Sequence, residues 1–560
     1  MKHKIFWLIV LLTIGLRIPL LTSIPPALSV DEAGIGYNAY SILKTNKDEH
    51  GVGPFPIAIK SFGDFKAPGT HYLLIPFISK FGLSPESIRL PTAILSIISI
   101  IAVYYLTLEL FGNQQLSLIT AFLLTISPWH IFISRTAYEP MNALVFGLVS
   151  LVAILMSRKR KFLFFIGLLF MAISIFTYTA PILLLPIIIT LTLYIFRHQF
   201  FNKSRQNIIL ILSFIISVLI IVIISIKYSS EKSQTTVFHA PITIQTIHHR
   251  LDLISQQQIP QIISRSVVNK YDYIFKSVIN SYLAAYKPDF LFYRPDANIT
   301  HSLGHLGFGN FYLFFLPLFI LGFIIIFREY QQPAYRWIIG YVLISPLITA
   351  LSIDSPVMHR LLDFHIALTI ISAIGLVKLI SWLKNSKFYL LGSFLISIII
   401  FISTYQYIFY YFFIFPRSSH HRLYTNLDKA IAVISAKADE FAAIYVSPQI
   451  HLNYIYFAFF TPFAPSDFQT HAQRTSNGYN QVATYHQYHF NDIPTNESLC
   501  HDFSSQPQTK IALIGKPTSF SKVTPTKTVN IPNPDKYALE PAWTIKVVNL
   551  SDLSCSNQLN

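Results

Sequence analysis

The chain has 560 residues, of which 52% are hydrophobic and only 12% are charged. Soluble domains carry about 25% charged residues, so this composition excludes an ordinary soluble protein and predicts a polytopic membrane protein. The formal net charge of +16 does not indicate a nucleic-acid partner, because the basic residues lie mostly in short loops between apolar runs and in the polar C-terminal region.

The first apolar run covers residues 5–21 and follows the basic start Met1-Lys2-His3-Lys4. No small-residue cleavage site comes after it and many apolar runs follow, so we interpret it as a retained transmembrane helix and not as a signal peptide. Its basic end predicts a cytoplasmic N-terminus. Arg17, near the outer end, either snorkels or pairs structurally, or it contacts a lipid phosphate.

Further apolar runs have the length needed to span a bilayer, which is roughly 20 residues. They are residues 90–111, 116–132, 140–156, 162–176, 180–196, 208–226, 311–327, 337–351, 361–383 and 388–413. Together with the first run they predict about eleven transmembrane helices in an α-helical fold.

The loops between these runs differ in charge. Counting crossings from a cytoplasmic N-terminus places inside the basic residues at 158–161, 197, 203, 205, 328, 336, 384 and 387, whereas the short outer loops carry almost none, chiefly Arg135 and Arg360. The positive-inside rule therefore predicts a multi-pass cell-membrane protein with four extracytoplasmic segments, residues 25–89, 127–139, 227–310 and everything after about 415.

The predicted domains are a transmembrane domain over residues 1–415 and an extracytoplasmic domain over residues 416–560. The second has about 145 residues, enough for a core of its own. A helix at 430–443 and buried strands at 443–446, 510–515 and 543–548 predict a small α/β domain. Residues 470–496, rich in Gln, Asn, His and Tyr, predict a surface loop. Cys500 and Cys555 lie in this domain and either pair or stay free.

The segment after the first apolar helix opens with the adjacent carboxylates Asp31 and Glu32. At the rim of a membrane carboxylates are partly dehydrated and suited to acid–base chemistry. The alternative is that they cap the helix predicted over residues 33–43. One acid suffices for a cap, so the second favours a functional interpretation.

Lys66 precedes Ala67-Pro68, where the chain is extended or turning. A lysine is a compact donor that suits a phosphate oxygen, although a solvated lysine is the alternative.

In the loop 127–139, Arg135 and Glu139 have i, i+4 spacing. Either they pair with each other, or Glu139 faces the same cavity as Asp31.

Other polar residues are predicted near the outer face: Asp64, His305, His359 and Arg360. Arg360 can clamp a phosphate or pair with Asp354 or Asp363. Neither HExxH nor a paired CxxC is present, so no metal site is strongly indicated and a divalent metal stays open. The sequence also contains no GxSxG, P-loop or strand-linked GxGxxG, which argues against hydrolases, NTPases and dinucleotide-binding enzymes.

Several motifs occur in an order that resembles a known family. They are Asp31-Glu32-Ala33, Lys66-Ala67-Pro68, Arg89-Leu90-Pro91, Ser127-Pro128-Trp129-His130, Ser134-Arg135 and Glu139. This arrangement resembles membrane glycosyltransferases of the GT-C superfamily, of the protein O-mannosyltransferase and aminoarabinose-transferase type. The resemblance covers residues 1–196. Individual motifs are short, and it is their order and spacing along a matching topology that carry the resemblance.

The resemblance implies a polyprenyl-phosphate-linked sugar donor and an acceptor on the outer face; a protein hydroxyl, a glycan and a glycolipid are all open as the acceptor. The acid that matches Asp31 is placed at the reaction centre, and the lysine that matches Lys66 binds the donor phosphate. The chain departs from the family pattern at Ala67 and Gly69, where Lys-Pro-Pro is usually followed by an apolar residue.

In the resulting mechanism Asp31 accepts the acceptor's proton while the anomeric carbon is inverted in one displacement. Charge on the departing phosphate is stabilised by Lys66 with Arg360 and Arg135, or by a divalent metal. Glu32 and Glu139 position the acceptor or the sugar, and His305, His359 and Asp64 are the supporting residues.

Two other functions compete with this prediction: a secondary transporter and an outward-facing sensing or binding protein. The outer-rim position of the acids and the lack of a repeat argue against the transporter.

Overall fold

The computed structural model describes residues 2–553 with the exception of 201–204, 229–240, 256–259, 261, 264–265, 267, 297–299, 353–355, 420–422, 476–480, 493, 504–507, 536–537 and 539. It forms two compact units. The helical unit comprises Met1–Pro19 and Thr92–Ile408, and the mixed unit comprises Leu20–Pro91 and Phe409–Asn560. The whole of the predicted outer segment 25–89 thus belongs to the same unit as the C-terminal region. The functional division at residue 415 stays a prediction.

The described α-helices are, in chain order, α1 Lys2–Arg17, α2 Val30–Thr45, α3 Gly69–Phe81, α4 Pro85–Phe111, α5 Gln114–Ile126, α6 Pro128–Ile133, α7 Glu139–Met156, α8 Leu163–Thr177, α9 Pro181–Ile195, α10 Arg197–Phe200, α11 Arg205–Tyr228, α12 Pro241–Ser255, α13 Lys270–Ala284, α14 Phe315–Arg328, α15 Pro333–Ala350, α16 Leu362–Lys384, α17 Tyr389–Phe409, α18 Phe415–Ser418, α19 Leu427–Ser435, α20 Tyr454–Phe460, α21 Pro465–His471 and α22 Asn496–Asp502.

Among the residues that the structure describes, four helical segments are long and apolar enough to cross a membrane: Pro85–Phe111, Glu139–Met156, Leu362–Lys384 and Tyr389–Ser418. Five shorter apolar helices accompany them: Gln114–Ile126, Leu163–Thr177, Pro181–Ile195, Ile208–Leu219 and Phe315–Arg328. The mostly helical, apolar architecture is confirmed, whereas the count of about eleven spans stays a prediction.

Close helix packing holds the helical unit together. A Cβ atom on Gly322 of α14 would lie 2.1 Å from the carbonyl oxygen of Ile371 in α16, and one on Gly375 of α16 would lie 2.2 Å from that of Leu318. Only glycine allows the two backbones to approach so closely, as is typical of helix pairs in membranes.

The mixed unit contains a two-stranded hairpin, β1 Ile59–Ser61 and β2 Asp64–Lys66, and a seven-stranded sheet. The sheet strands are β3 Ala443–Val446, β4 Gln473–Arg474, β5 Val482–Tyr485, β6 Tyr488–His489, β7 Lys510–Gly515, β8 Lys527–Ile531 and β9 Trp543–Asn549. Their order is β4-β5-β6-β3-β7-β9-β8, with β3 parallel to β6 and β7 and all other pairs antiparallel.

The three strands predicted from apolar runs are confirmed as β3, β7 and β9. The prediction of a surface loop over 470–496 is wrong, because α21 ends within it and β4, β5 and β6 form the edge of the sheet there. Edge strands are half exposed and therefore tolerate polar residues, which hides them in the sequence pattern. Cys500 is disulfide-bonded, and the only other cysteine, Cys555, lies outside the described residues.

Helix α2 lies in the core of the mixed unit. The hydroxyl of Tyr37 donates to the carbonyl of Phe463 over 3.1 Å, and the side chain of Gln469 in α21 donates to the hydroxyl of Ser41 over 3.0 Å. The predicted helix 33–43 is thus confirmed as part of α2. Asp31 and Glu32 belong to its first turn and do not end α1, which stops at Arg17.

Candidate active site

Asp31 and Lys66 form an ion pair in the mixed unit. Asp31 lies in the first turn of α2, and Lys66 is the last residue of β2. The Nζ atom of Lys66 donates to Oδ1 of Asp31. The side chain of Asp31 is 46% exposed, whereas that of Lys66 is only 16% exposed. A solvent-accessible carboxylate is therefore held beside a more enclosed ammonium group.

The β1–β2 hairpin positions Lys66 against α2. Its two-residue turn, Phe62-Gly63, has positive φ angles of 52° and 76°, as two-residue hairpins with a native twist require. The Phe62 ring contacts the α2 backbone at Gly34, where an added Cβ would lie 2.8 Å from the ring. It also meets the Tyr454 ring edge to face, with centroids 6.3 Å apart. An unusual bulky residue at positive φ is therefore held in place by α2 and α20.

Asp64 occupies the other end of the same turn. Its Oδ1 atom accepts the backbone N–H of Phe65 over 2.7 Å, and Asp64 is paired with Ser61 in the hairpin register. This contact joins the carboxylate to the backbone of its own strand, β2, one residue further on. Asp64 thus helps to shape the hairpin that carries Lys66.

Glu32 is buried, unlike its neighbour Asp31. It completes a capping box at the start of α2: Ser29 N–H donates to Oε2 of Glu32 over 3.0 Å, and Glu32 N–H donates to Oγ of Ser29 over 3.1 Å. Arg89 of α4 donates to both carboxylate oxygens, over 2.8 and 3.2 Å. The second acid of the pair, which favoured a functional interpretation in the sequence, is therefore engaged in structural contacts.

Arg89 also organises the chain that precedes α2. Its guanidinium donates to the carbonyls of Leu21, Pro25 and Ala27 over 3.0, 2.9 and 2.8 Å. The arginine side chain is 1% exposed, so these bonds replace the water that a buried guanidinium would lose. The Arg89–Glu32 pair thereby fixes the backbone on which Asp31 is mounted.

A second buried network secures the loop between α2 and the hairpin. Glu49 is fully buried, its N–H donates to Oδ1 of Asn38 over 2.9 Å, and its carboxylate lies 3.6 Å from Nη2 of Arg474. Burial raises the pKa of the Glu49 carboxyl, while Arg474 opposes this rise. Nothing in the sequence distinguishes Glu49 from a solvated acid, because its arginine partner lies more than 400 residues away in the chain.

The helical unit holds the remaining predicted residues. Glu139 is the first residue of α7 and is 8% exposed. Arg135 is fully buried and donates to the carbonyls of Leu16, Arg17 and Pro19 over 3.1, 2.9 and 2.7 Å. Arg135 therefore caps the C-terminal end of α1, where a cation is favourable.

Arg17 does not snorkel. It is fully buried and donates to the carbonyl of Thr125 over 2.7 Å and to Nδ1 of His130 over 2.8 Å. The Nε2 atom of His130 lies 2.8 Å from the hydroxyl of Ser99. This chain of polar contacts supports structural pairing for Arg17 and shows that His130, which the sequence analysis named only as part of a motif, links Arg17 to Ser99.

Arg360 and His359 lie in the 3₁₀ turn Met358–Arg360 before α16. Arg360 bonds to the hydroxyl of Ser352, and with His359 and Asp363 it lines a small pocket. The carboxylate of Asp363 accepts the hydroxyl of Tyr341 over 2.7 Å. His305 lies in another 3₁₀ turn, Gly304–Leu306. The predicted alternative partner Asp354 is outside the described residues.

Two groups of side chains within the described part of the chain bring three metal-ligating atoms within 4.8 Å of one another. Asp296, His301 and His359 form one group in the helical unit; the other is formed by Asp467, His471 and His486 in the mixed unit. Of the predicted residues, only His359 belongs to either group.

No family model matches the sequence, and no curated protein matches it. Solved structures match its fold. ArnT from Cupriavidus metallidurans in the apo state is 12% identical, with a TM-score of 0.51 over 98% of this chain and 98% of that chain. The oligosaccharyltransferase AglB from Archaeoglobus fulgidus, in complex with an inhibitory peptide and a dolichol-phosphate, is 13% identical, with a TM-score of 0.50 over 91% of this chain and 69% of that chain.

A second structure of the Archaeoglobus fulgidus oligosaccharyltransferase, tethered with an acceptor peptide that contains the NVT sequon, gives 13% identity and a TM-score of 0.51 over 92% of this chain and 69% of that chain. Both proteins are GT-C superfamily membrane glycosyltransferases. The chain shares their fold, as the sequence resemblance predicted. At this level of identity the likeness concerns the fold, and function is argued below from the residues of this chain.

Proposed function

We propose that this protein is a membrane glycosyltransferase that moves a sugar from a polyprenyl-phosphate carrier to an acceptor at the outer face of the membrane. The observation that carries the proposal is the Asp31–Lys66 pair: an accessible carboxylate held against a more enclosed ammonium group. The shared fold supports it, since one neighbour of that fold is a complex with a dolichol-phosphate.

The Asp31–Lys66 pair is suited to a one-step displacement at the anomeric carbon of the sugar. The acceptor's oxygen or nitrogen bonds to the anomeric carbon and loses its proton to a carboxylate oxygen of Asp31. The bond from the anomeric carbon to the phosphate oxygen breaks, and the phosphate keeps the electron pair. Lys66 stabilises the charge gained by that phosphate. Because its ammonium has three N–H groups, Lys66 can contact phosphate and Asp31 at once.

The other residues of the mixed unit act by positioning. Glu32 holds the first turn of α2 through Ser29 and Arg89, and therefore orients Asp31 without a need to touch the sugar. Asp64 bonds to the backbone of β2, the strand that ends in Lys66. In the helical unit, Glu139 stays a predicted acceptor- or sugar-binding residue and Arg360 a predicted phosphate-binding residue. Arg135 is better suited to capping α1 than to binding phosphate, because its terminal nitrogens donate to backbone carbonyls.

The proposed topology follows the positive-inside rule: a cytoplasmic N-terminus, about eleven spans and an extracytoplasmic C-terminal region. The identity of the sugar and that of the acceptor are left open. A lipid-linked donor carries its own activated leaving group, so the reaction needs no nucleotide-binding site.

The test is label transfer by the full-length protein in membrane vesicles. Radiolabelled polyprenyl-phosphate sugars are offered together with protein, glycan and glycolipid acceptors, and the incorporated label is measured. Wild type should transfer one of them, and Asp31→Asn should lose transfer by at least about 10²-fold while still binding the labelled donor. Uptake of free sugar into the vesicles without transfer would instead favour a transporter.

Asp428→Asn is the matched control. Asp428 is also an acid in the first turn of a helix of the mixed unit, α19, and it is exposed. The control should transfer label at the wild-type rate. Equal transfer by Asp31→Asn and Asp428→Asn would remove Asp31 from the mechanism.

A further inference from the structure

Two histidines and one aspartate converge in the helical unit. Asp296 follows the π-helical turn Asp289–Tyr293, and His359 lies in the 3₁₀ turn before α16. The Nδ1 atom of His301 lies 3.0 Å from Oδ2 of Asp296. The rings of His301 and His359 meet edge to face, with centroids 4.4 Å apart. One ligand atom from each of the three residues lies within 4.8 Å of the others.

The surroundings restrict these side chains. The side chains of Asp296 and His301 are only 9% and 13% exposed. The backbone N–H of Met358 donates to Oδ2 of Asp296 over 3.4 Å. The Tyr138 ring lies against both imidazoles, with centroids 5.7 Å from His301 and 6.2 Å from His359. The side chains of Asp296, His301 and His359 would therefore lose little rotamer freedom when a ligand binds.

The donor set indicates which ion it suits. Two imidazoles and a carboxylate match the three-protein-ligand sites of Zn²⁺, whereas Mg²⁺ and Ca²⁺ prefer oxygen atoms throughout. Tetrahedral Zn²⁺ with ligands at about 2.0–2.1 Å places neighbouring ligand atoms about 3.4 Å apart. The Asp296–His301 distance of 3.0 Å is already close to this value. The other ligand–ligand distances, at most 4.8 Å, need to shorten by no more than about 1.4 Å to reach it.

The second group, Asp467, His471 and His486, is a weaker candidate. Its side chains are 35%, 56% and 47% exposed, so binding would have to immobilise mobile surface side chains. A hydrogen-bonded His–Asp pair without metal accounts for the contact between Asp296 and His301. The imidazole of His359 adds a third ligand atom within 4.8 Å of that pair.

We propose that Asp296, His301 and His359 bind one Zn²⁺ ion, with a coordination position left open to water or to a ligand oxygen. The ion would join Asp296 and His301 to the turn that carries Arg360. Tyr138, whose ring packs on both histidines, directly precedes Glu139. Zinc would therefore order two residues predicted to act in transfer; this positioning role rests on the proposed function, but the binding of zinc does not.

The test measures zinc in the full-length protein in detergent micelles, purified without a histidine tag. All samples carry His471→Gln and His486→Gln, so that the second group cannot contribute. After loading with ZnCl₂ and dialysis against metal-free buffer, elemental analysis should find about one zinc per chain in this background. His301→Gln/His359→Gln should retain less than one-tenth of that amount.

His198→Gln is the control, since His198 is an exposed histidine of the same unit at α10. It should keep the full zinc content. Zinc retained at stoichiometry by His301→Gln/His359→Gln, or less than one-tenth of an equivalent in the background protein, would overturn the proposal. No substrate enters these measurements, so failure to observe sugar transfer does not affect them.

A second readout needs no variant of the three ligands. Co²⁺ added to the background protein should give the intense visible absorption of a tetrahedral site, and Zn²⁺ should abolish it by displacement. Zn²⁺ should also raise the melting temperature of the background protein, because an ion that binds only the folded state stabilises it. Weak octahedral absorption together with an unchanged melting temperature would contradict the site.

Discussion

The Nε atom of Arg89 lies 2.8 Å from Oε1 of Glu32, and both side chains are at most 3% exposed. This ion pair lies directly beside Asp31, whose side chain is 46% exposed. Two adjacent acids with the same charge and nearly the same chemistry are therefore in opposite environments. One is committed to structure, and the other is accessible to a substrate.

The buried ion pair should dominate the stability of the mixed unit's N-terminal segment. Glu32→Ala removes the partner of a buried guanidinium and is expected to cost about 3–5 kcal/mol. The free energy of unfolding is measured by denaturant titration of the full chain in micelles. The control is Asp272→Asn, which breaks the exposed pair with Lys276 on α13 and should cost no more than about 0.5 kcal/mol. Similar losses in both variants would show that Arg89 is stabilised without Glu32.

Lys66 should affect transfer more strongly than its neighbour in the hairpin. Lys66→Met removes the cation that is proposed to stabilise the departing phosphate and is expected to lower kcat by about 10²–10³-fold, whereas Lys66→Arg should recover part of it. Lys60 lies on the facing strand β1, and Lys60→Met should be near wild type. The rates are compared at saturating labelled donor. If both methionine variants had the same rate, the pairing of Lys66 with Asp31 would be structural only.

Adding a single methyl group at Gly34 should disrupt the packing of the Phe62 ring on α2. Gly34→Ala places a Cβ 2.8 Å from the ring, so the hairpin must shift, and the expected cost is about 1–3 kcal/mol with reduced transfer. Gly15 in α1 has no atom within 4 Å of an added Cβ. Gly15→Ala should therefore be neutral or stabilising, because alanine favours a helix. Unfolding midpoints of the two variants provide the comparison; an unaffected Gly34→Ala protein would contradict the close contact.

Acid should destabilise the mixed unit through His50. Burial, with Arg474 and Lys60 nearby, lowers the pKa of His50 to about 3, against 6.5 in the unfolded chain. Because the unfolded state binds the proton more readily, the stability contributed by neutral His50 is complete above pH 6.5 and is lost as the pH falls towards 3. Between pH 7 and 5 the loss amounts to about 2 kcal/mol.

His50→Gln should flatten the fall of the unfolding free energy between pH 7 and 5. His501 of α22 is 88% exposed and provides the control, since His501→Gln removes a histidine that folding leaves in water. The measurement is a series of denaturant titrations at fixed ionic strength. An unchanged pH slope in His50→Gln would show that His50 is protonated at little cost in the folded protein.

Local patterns predicted the elements well where burial is uniform along a segment. The runs 443–446, 510–515 and 543–548 are confirmed as strands because they are almost fully apolar or buried, and α2 is confirmed with its acidic N-terminal turn. The same reasoning is wrong at 470–496. There β4, β5 and β6 are short, partly exposed and rich in polar residues, so their pairing in the sheet leaves little trace in the sequence.

Composition and periodicity by themselves determined that this is an apolar helical protein, where its long helices lie, and that acids and a lysine follow the first helix. They could not distinguish Asp31 from Glu32, or show that Glu49 is buried, because the environment of a charge depends on its partner. Those partners, Arg89 and Arg474, lie 57 and 425 residues away along the chain. Only the tertiary structure brings them together, and the desolvation of each pair then decides which carboxylate remains accessible for chemistry.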